Sequence, residues 1–511
     1  MNRSRGPNQG GSRLASERDL RFTDEHIAEF AAASGDLNPL HLDPVFARRT
    51  PFGCCIVQGS LVALALLGCL SDEALAEARY VRAWFAGGVV PGSRVRADFE
   101  PVPEGWEVRL TGRGKVLARV RVGGKHDLIG AVSRDTGAGD VRPMRTEPAL
   151  VASSDLHAGD ESTGHYRPGP ELAEVARRWG VERLEPGLLE GVAWASYVVG
   201  MELPGLYGLF TGVSLSTVPP VDAAEIGRQW LRVGERDERT GRLLVEGTLI
   251  GHSGSQTNAR IESFIREPVA SPDAAILAAP APDRPVEGAV VVVGGSRGLG
   301  ASLALAFVLR GYTVHVAFST SVDAAAELRT AAGREADRLH LHQVDARDSR
   351  AFAQLADALD ASATPLRGVV LNAAPPPLAM GVTADSGHAL AEYVSESVQL
   401  AAVPLGTLLP LLEPEGWIVF CSSPAVSAPP REWPHYAAAK GAVEGLAHWV
   451  AASEPQLKSV VLRPPKMLTD LTNSPTGRIA AASVDEVARW VADRLSGSEL
   501  PAGLTVLEPD V

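Results

Sequence analysis

The sequence predicts two successive α+β units followed by an α/β domain with a doubly wound parallel sheet. In the first half of the chain, two ten-residue apolar runs bounded by glycines each precede segments of alternating polarity. The rest of the chain alternates continuous apolar runs with helical stretches. Alternating polarity is typical of strands with one buried face, whereas continuous apolar strands separated by helices indicate a parallel sheet covered on both faces.

Composition agrees with several soluble domains. A chain of 511 residues is long enough for about three units at a typical ~150 residues each. Hydrophobic residues make up 45% and charged residues 21%, so each unit can bury a core. The net charge of −13 is spread along the chain without the basic stripe that nucleic acid requires, so we expect no nucleic-acid binding.

Cysteine usage and the apolar segments favour a cytoplasmic protein. Residues 1–17 lack the apolar core of a secretory signal and are predicted to form a disordered tail. The longest apolar run, Ile56 to Leu70, is shorter than the ~20 residues of a membrane span and predicts a buried helix. No cluster of metal ligands stands out, so we expect no metal. The cysteines lack CxxC spacing and are expected to be buried thiols of a reducing compartment: Cys54, Cys55, Cys69 and Cys421.

Two stretches rich in small or polar residues divide the chain. Such segments rarely pack as regular elements and are expected to be linkers. The resulting organisation is a first unit at 18–132, a linker at 133–164, a second unit at 165–267, a linker at 268–287 and a third unit at 288–511.

The first two units share an outline. The run "GSLVALALLG" (Gly59 to Gly68) precedes the predicted strands "SRVRADFEP" and "KVLARVRVG", and "GVAWASYVVG" (Gly191 to Gly200) precedes "GLFTGVSLSTV", "RQWLRVGER" and "RLLVEGTLIGHS". A helix followed by several strands, twice, favours internal duplication of an α+β unit, although two short glycine-bounded helices also arise by chance.

An acid and an imidazole flank a turn in "SGDLNPLHLD". Asn38-Pro39 biases the backbone out of a helix, so Asp36 and His41 are able to converge on one point. A carboxylate and an imidazole at one pocket can share proton transfer, one at a water molecule and the other at carbon. The spacing alone also fits an N-cap aspartate beside a surface histidine.

The wider segment "FAAASGDLNPLHLDPVFA" closely resembles the signature of R-specific enoyl-CoA hydratases, the MaoC-like dehydratases, and "VQGSLVALAL" follows where that family has its central hotdog helix. The resemblance implies a hotdog fold. It implies Asp36 and His41 as the catalytic pair, Asn38 as a residue that organises the site, and Gly59 as a backbone donor to the thioester oxygen. A helix N-terminus suits that last role because it stabilises developing negative charge.

The second unit has "VERLEPGLLEG" where the first has its signature. It is therefore expected to be a catalytically degenerate second hotdog, similar to double-hotdog members of the family in which one half holds a longer acyl chain. The residues of "WASYVVGMELPGLYGLF" either line such a tunnel or belong to the core.

A glycine-rich turn opens the third unit. In "VVVVGGSRGLGASLALA" the glycines follow a predicted strand and precede a helix, a context in which backbone approaches a pyrophosphate at the helix N-terminus. The spacing of Gly294, Gly298 and Gly300 resembles the short-chain dehydrogenase/reductase family.

The catalytic positions of that family are matched by Ser423, Tyr436 and Lys440. The four-residue offset places Lys440 one helical turn from Tyr436. The resemblance implies that Tyr436 donates a proton to a carbonyl oxygen held by Ser423.

The end of the second predicted strand, "VHVAFSTS", lacks the acid that usually binds the ribose hydroxyls of NAD. Arg297, with Ser319 and Ser321, is instead predicted to bind a 2′-phosphate, so the cofactor is expected to be NADP(H). With the positions that the resemblance to the family adds, the predicted cofactor set is Gly294, Ser296, Arg297, Gly298, Leu299, Gly300, Ser319, Ser321, Asp345, Asn372, Tyr436 and Lys440. The resemblance implies that Asp345 contacts the adenine.

Several positions depart from the reductase pattern. "NAAP", from Asn372, replaces Asn-Asn-Ala-Gly, Val293 replaces a threonine, Ser397 stands at the relay asparagine, and Pro464-Pro465 replaces Pro-Gly. These changes put the proton relay in question more than the fold.

Together the two resemblances predict a bifunctional enzyme, expected to be a homodimer. It would reduce a 3-oxoacyl thioester of coenzyme A or an acyl carrier protein and dehydrate the product to the trans-2-enoyl thioester, in polyketide or fatty-acyl biosynthesis. Two alternatives stay open: hydration followed by oxidation of the 3-hydroxyacyl-CoA, or a dehydratase with a non-catalytic reductase-like assembly domain.

Overall fold

The computed structural model describes residues 16–124, 129, 141–218, 225–278, 288–362, 364–497 and 500–510. Most of the predicted tail at 1–17 lies outside these residues, but Ser16 and Glu17 belong to the first strand. The cysteines are free, and only Cys421 is buried. The expectation that Cys54, Cys55 and Cys69 are buried is therefore wrong, since each is partly exposed.

The first unit contains five helices and five strands among the described residues. In chain order they are β1 (Ser16–Leu20), α1 (Asp24–Ser34), α2 (Pro39–Leu42), α3 (Pro44–Arg48), α4 (Gly59–Leu67), α5 (Asp72–Ala76), β2 (Tyr80–Phe85), β3 (Val95–Val102), β4 (Gly105–Gly112) and β5 (Lys115–Gly123).

The second unit follows the same plan with a longer central helix. Its elements are β6 (Glu161–His165), α6 (Leu172–Trp179), α7 (Pro186–Tyr197), which continues as a π-helical turn at Val198–Glu202, β7 (Gly208–Val218), β8 (Arg228–Asp237), β9 (Arg242–Ile250) and β10 (Gln256–Ile265).

Both units belong to one ten-stranded antiparallel sheet. Its order is β1-β3-β4-β5-β2-β7-β10-β9-β8-β6, so each half repeats the same sequence of strands outward from the central β2–β7 pair. The apolar helices α4 and α7 pack against this sheet, and their buried residues share one hydrophobic cluster. The symmetry is that of a double hotdog, and the predicted fold class is confirmed.

The predicted linker at 133–164 is wrong at its C-terminal end. Residues 161–164 belong to β6, which pairs with β8 at the edge of the sheet. The segment Glu-Ser-Thr-Gly-His is polar because an edge strand exposes one side to water, and polar edges discourage pairing with other chains. Because this segment lacks alternating apolar residues, its sequence does not predict a strand.

The third unit is a doubly wound domain. After the short helix α8 (Ala274–Leu277), its elements are β11 (Ala289–Val293), α9 (Gly298–Leu309), β12 (Thr313–Phe318), α10 (Val322–Ala332), β13 (Leu339–Gln343), α11 (Ser349–Ala361), β14 (Leu366–Leu371), α12 (Gly387–Leu408), β15 (Leu412–Cys421), α13 (Pro434–Ser453), β16 (Lys458–Leu462), α14 (Val484–Ser496) and β17 (Gly503–Leu507).

Its seven-stranded parallel sheet has the order β13-β12-β11-β14-β15-β16-β17. The chain moves outward from β11 in both directions, which opens a crevice beyond the carboxyl ends of β11 and β14 where such folds bind ligands. The predicted linker at 268–287 is partly structured, because Leu277 of α8 is fully buried against this domain.

One helical segment of the described chain, Gly387–Leu411, is long and apolar enough by length and composition alone to cross a membrane. Core helices of soluble proteins pass the same test. In this structure it contains α12, which packs against α11 and α13 in the doubly wound domain.

Three histidines stack at the edge of the parallel sheet. The ring of His315 lies 4.8 Å from that of His340 and 5.2 Å from that of His342, and the His315 Nδ1 to His342 Nε2 distance is 3.0 Å. Burial, with repulsion from His342 and His340, lowers the pKa of His315 to about 4.

This stack is expected to make folding stability depend on pH. Between about 6.5, the ordinary histidine value, and about 4, the unfolded chain binds a proton at His315 that the folded chain does not. Stability therefore falls as pH drops through this window. His315→Gln is expected to flatten the dependence of the urea midpoint on pH, with His388→Gln, at an exposed site, as the matched control. An unchanged slope in His315→Gln would contradict the interpretation.

Candidate active sites

The turn that carries the first site is fixed by local backbone contacts. Helix α1 ends at Gly35, which has a left-handed φ of 72°. Asn38 then caps α2, because its side-chain oxygen accepts from the backbone N–H of Leu40. Pro39 occupies the first helical position, where no N–H is required. The sharp direction change brings Asp36 and His41 to the same side.

The predicted acid–imidazole pair is present in the structure. The Nε2 atom of His41 lies 4.0 Å from Oδ2 of Asp36. On the other side of the ring, Nδ1 lies 2.7 Å from the carbonyl oxygen of Ile56. A carbonyl only accepts hydrogen bonds, so this contact places the proton on Nδ1 and leaves the Nε2 lone pair facing Asp36.

The Asp36 carboxyl is almost completely buried, with 2% of the residue exposed. Burial raises its pKa, although the His41 ring and hydrogen bonds from Ser196 and the Asn38 backbone act in the opposite direction. A carboxyl with a raised pKa retains a proton that it can donate.

The second unit supplies direct partners to this pair. Ser196 Oγ donates a hydrogen bond of 2.6 Å to Asp36 Oδ2. Gly200, in the π-helical turn, passes so close that a Cβ there would lie 2.0 Å from Asp36 Oδ1. The Asn38 amide donates to the carbonyl oxygens of Gly200 and Gly205, both at 3.1 Å. The second hotdog is therefore part of the site, which the missing motif did not reveal.

The N-terminus of α4 carries the predicted backbone donor. Gly59 is the first residue of this nine-residue helix, so its N–H has no partner within the helix. The side-chain oxygens of Gln58 and Ser60 are buried beside it without a hydrogen-bond partner among the described residues.

Of the residues that either line an acyl tunnel or belong to the core of the second unit, the three largest near its helix belong to the core. Trp194, Tyr197 and Met201 are fully buried in the shared hydrophobic cluster. Trp194 Nε1 also donates to Gln229 Oε1 at 2.6 Å. In place of the missing signature, Glu185 caps α7 by accepting from the backbone of Leu188.

The second site is a cavity of about 740 Å³ at the carboxyl ends of the parallel strands. It contains all three predicted reductase residues together with nearly every predicted cofactor residue. The predicted residues that line it are Gly294, Ser296, Arg297, Gly298, Leu299, Ser319, Ser321, Asp345, Asn372, Ser423, Tyr436 and Lys440. Gly300 lies just behind, at the start of α9.

Helix α13 presents Tyr436 and Lys440 on neighbouring turns. The Lys440 Nζ atom lies 5.6 Å from the centre of the Tyr436 ring and donates to the Cys421 carbonyl at 2.7 Å. Ser423 stands two residues after the end of β15, where its Oγ accepts from the backbone N–H of Ala425. Trp433, which sequence reasoning missed, packs edge-on against Tyr436 and also lines the cavity.

The glycine-rich turn fits a nucleotide. Its residues lead into the N-terminus of the twelve-residue helix α9, where N–H groups and the helix dipole favour phosphate. A Cβ at Gly300 would lie 2.2 Å from the Gly294 carbonyl oxygen, so only glycine allows this tight turn. The Asn372 amide donates to the same carbonyl at 2.9 Å and braces the turn.

Arg297, which is predicted to bind the 2′-phosphate, makes a contact that its local sequence does not indicate. The Arg297 guanidinium donates to Asp470 at 3.0 Å and, across the unit boundary, to the Arg48 carbonyl at 2.6 Å. Asp345 is paired with Arg347, which lowers the pKa of the Asp345 carboxyl. The Arg297–Asp470 pair and the Asp345–Arg347 pair both line the cavity that Ser319 and Ser321 also line.

The position of the missing relay asparagine is buried. Ser397 donates to the Tyr393 carbonyl at 2.8 Å, and the Tyr393 hydroxyl donates to the Pro375 carbonyl at 3.0 Å. The ring of His435 meets that of Tyr393 at 4.5 Å, and burial lowers the His435 pKa to about 4. Neither Tyr393 nor His435 stands out in a sequence, because their roles depend on packing between α12 and α13.

Comparisons with known proteins agree with two kinds of domain. A family model described as a MaoC like domain matches residues 7–116, and one described as short chain dehydrogenase matches residues 288–476. An (R)-specific enoyl-CoA hydratase from Aeromonas caviae is 49% identical over 53 residues, which is 10% of this chain and 40% of that protein. The match thus spans less than half the length of this curated relative.

Solved structures similar to the chain include the oxidoreductase yciK from Escherichia coli, with 21% identity, a TM-score of 0.41, and coverage of 46% of this chain and 99% of that one. A short-chain dehydrogenase from Escherichia coli CFT073, solved with NADPH, has 20% identity, a TM-score of 0.41, and coverage of 45% and 100%.

The two family models match separate regions of the chain. The first region carries the Asp36–His41 pair, and the second carries the cavity around Tyr436. The protein therefore combines a MaoC-like domain in its N-terminal part with a short-chain dehydrogenase domain in its C-terminal part.

Proposed function

We propose that this chain reduces a 3-oxoacyl thioester to the 3-hydroxyacyl thioester and then dehydrates that product to the trans-2-enoyl thioester. The observation that carries the proposal is the presence, in one chain, of an acid–imidazole pair and a Ser-Tyr-Lys cavity. The product of the second site is a substrate for the first. One chain that holds both sites keeps their ratio fixed and raises the local concentration of the intermediate.

In the dehydratase step, His41 and Asp36 divide the two proton transfers. The bare Nε2 of His41 takes the proton from C2 of the thioester, and Asp36 gives its proton to the hydroxyl that leaves C3 as water. The raised pKa of Asp36 suits it to be the acid. Negative charge that develops on the thioester oxygen is stabilised by the N-terminus of α4 at Gly59.

In the reductase step, Tyr436 gives its hydroxyl proton to the ketone oxygen, and Ser423 holds that oxygen. NADPH supplies the hydride. Lys440, anchored on the Cys421 carbonyl, stabilises the negative charge left on Tyr436. These roles match the positions that the residues occupy around one cavity.

The choice of NADP(H) is supported by the side chains around the end of β12. The segment Ser319-Thr320-Ser321 offers hydroxyls beside the N-terminus of α10, and Arg297 is one of the cations that line the same cavity. The Aeromonas caviae relative is named for an enoyl-CoA substrate, which supports coenzyme A as the carrier. The predicted homodimer and the cytoplasmic location stay predictions.

Substitutions at the two sites are expected to separate the two reactions. Asp36→Asn removes the acid and should lower hydration of a trans-2-enoyl-CoA by at least about 100-fold while NADPH-dependent reduction continues. Tyr436→Phe should do the reverse. Separate assays of each half-reaction on the purified full chain measure both effects.

Loss of both reactions in either variant would contradict independent sites. If Tyr436→Phe changes no turnover, the C-terminal domain is an assembly module. A marked preference for oxidation of 3-hydroxyacyl-CoA with NAD⁺ would favour the oxidative direction.

The Ser196 hydroxyl is expected to contribute across the duplication. Ser196→Ala removes its hydrogen bond to Asp36, and the loss of one bond to a carboxyl should lower the hydration kcat by about tenfold or more. Ser263→Ala is the matched control, because the Ser263 hydroxyl is buried without a hydrogen-bond partner among the described residues. Equal activities of the two variants would show that Ser196 does not act on Asp36.

Arg297 is expected to distinguish the two nicotinamide cofactors. Removing a charge-assisted contact to the 2′-phosphate in Arg297→Ala should weaken NADPH binding by about 10- to 100-fold and leave NADH binding nearly unchanged. Titrations of both cofactors by fluorescence measure this. An equal loss for NADH and NADPH would mean that Arg297 acts only through its contacts to Asp470 and Arg48.

A further inference from the structure

Among the described residues, the carbonyl group of Ile56 makes the short contact that orients the His41 ring. Its Nδ1 lies 2.7 Å from the Ile56 oxygen, and this contact fixes both the ring plane and the tautomer. A shift of Ile56 would allow the proton to move to Nε2, which would remove the lone pair that faces Asp36. The position of Ile56 therefore controls the proposed base.

Ile56 lies in the loop Thr50–Val57, which the dehydratase unit anchors at its two ends. At the start, Thr50 Oγ1 donates to the Ala47 carbonyl at 2.6 Å. At the end, the Val57 N–H donates to the Val89 carbonyl at 2.9 Å. What lies against the middle of this loop determines how well the Ile56 carbonyl is held.

The middle of the loop packs against the short-chain dehydrogenase domain. A Cβ at Gly53 would lie 2.7 Å from Cγ and 3.0 Å from Cβ of Pro376, so the glycine backbone touches the proline ring. Pro376 in turn lines the reductase cavity. One residue thus contacts both the reductase cavity and the loop that orients His41.

A second set of contacts joins the same region to the cofactor side. Arg297 donates to the Arg48 carbonyl at 2.6 Å, and the Arg49 guanidinium lies 3.2 Å from the Glu327 carboxylate of α10. The segment between His41 and Ile56 is therefore held from the reductase side at two places.

We propose that Pro376 is a positioning residue of the dehydratase: it supports the loop Thr50–Val57 so that the Ile56 carbonyl orients His41. This inference rests on the proposed dehydratase function and adds a residue from the other domain to its site. A ligand in the reductase cavity that displaces Pro376 would change the orientation of the His41 ring.

The test uses the full chain and a compensating pair of substitutions. Gly53→Ala drives a methyl group into the Pro376 ring, and Pro376→Gly removes the ring it meets. Gly92→Ala is the matched control, because Gly92 has a similar positive φ of 75°, against 66° at Gly53, and a Cβ there would meet nothing within 4 Å.

Gly53→Ala is expected to lower the kcat of enoyl-CoA hydration about tenfold relative to Gly92→Ala, with KM unchanged because the thioester contacts remain. Adding Pro376→Gly to Gly53→Ala should restore most of the lost kcat, because the new methyl group then fills part of the space that the proline ring leaves. Equal kcat values for Gly53→Ala and Gly92→Ala, or no recovery in the double variant, would overturn the proposal. If Gly53→Ala does not fold, Pro376→Gly alone replaces it and should lower kcat, because it removes the support without adding an atom.

A readout that needs no turnover separates this inference from the proposed function. Nitrogen-15 chemical shifts of His41, assigned by their loss in His41→Gln, should report a proton on Nδ1 in the wild type. They should report mixed tautomers in Gly53→Ala and recovery in the double variant. A wild type that hydrates nothing would refute the proposed function, whereas a His41 tautomer insensitive to both substitutions would refute the positioning role.

Discussion

The burial of one carboxyl group organises the N-terminal half of this protein. Asp36 sits between the two hotdog units, where an unpaired charge would be costly. Its hydrogen bond from Ser196 and its close approach to Gly200 require the two units to share one core and one sheet. The second unit therefore keeps its fold without its own catalytic motif, because it forms the other wall of the site.

The features that were visible in the sequence are those whose residues lie close together along the chain. Asp36, Asn38 and His41 lie within one short turn, and Tyr436 and Lys440 lie one helical turn apart, so the local sequence together with the two family signatures predicted their convergence. Both apolar helices and most of the strands of the parallel sheet were predictable for the same reason: their periodicity is local.

Features that depend on long-range packing were not predictable. Ser196 and Asp36 are 160 positions apart in the sequence. They meet because β2 and β7 pair at the centre of the sheet and join the two units. The strand β6 was missed because its edge position makes its sequence polar. The contact of Arg297 with the Arg48 carbonyl was missed because no local sequence pattern encodes a contact between units. Trp194 and Tyr197 have the composition of a ligand tunnel, but burial decides that they are core.

The hotdog units and the third unit contact each other directly, in addition to being joined in one chain. Pro376 touches the loop of Gly53, Lys115 forms an ion pair with Glu432, and the Gly381 N–H donates to the Arg113 carbonyl at 2.9 Å. The last two contacts connect the β4–β5 turn of the first unit with segments beside the cavity of the third unit. Consecutive reactions in sites that support each other would keep the intermediate close to both.

The most direct test of the central claim is to incubate the purified chain with NADPH and 3-oxobutyryl-CoA while following nicotinamide absorbance and product mass together. The account predicts that NADPH is consumed and that the product has gained two hydrogens and lost one water, with the hydroxy intermediate accumulating in Asp36→Asn. Hydration of an enoyl-CoA without any NADPH consumption would contradict it, because the C-terminal domain would then not be a reductase for this substrate class.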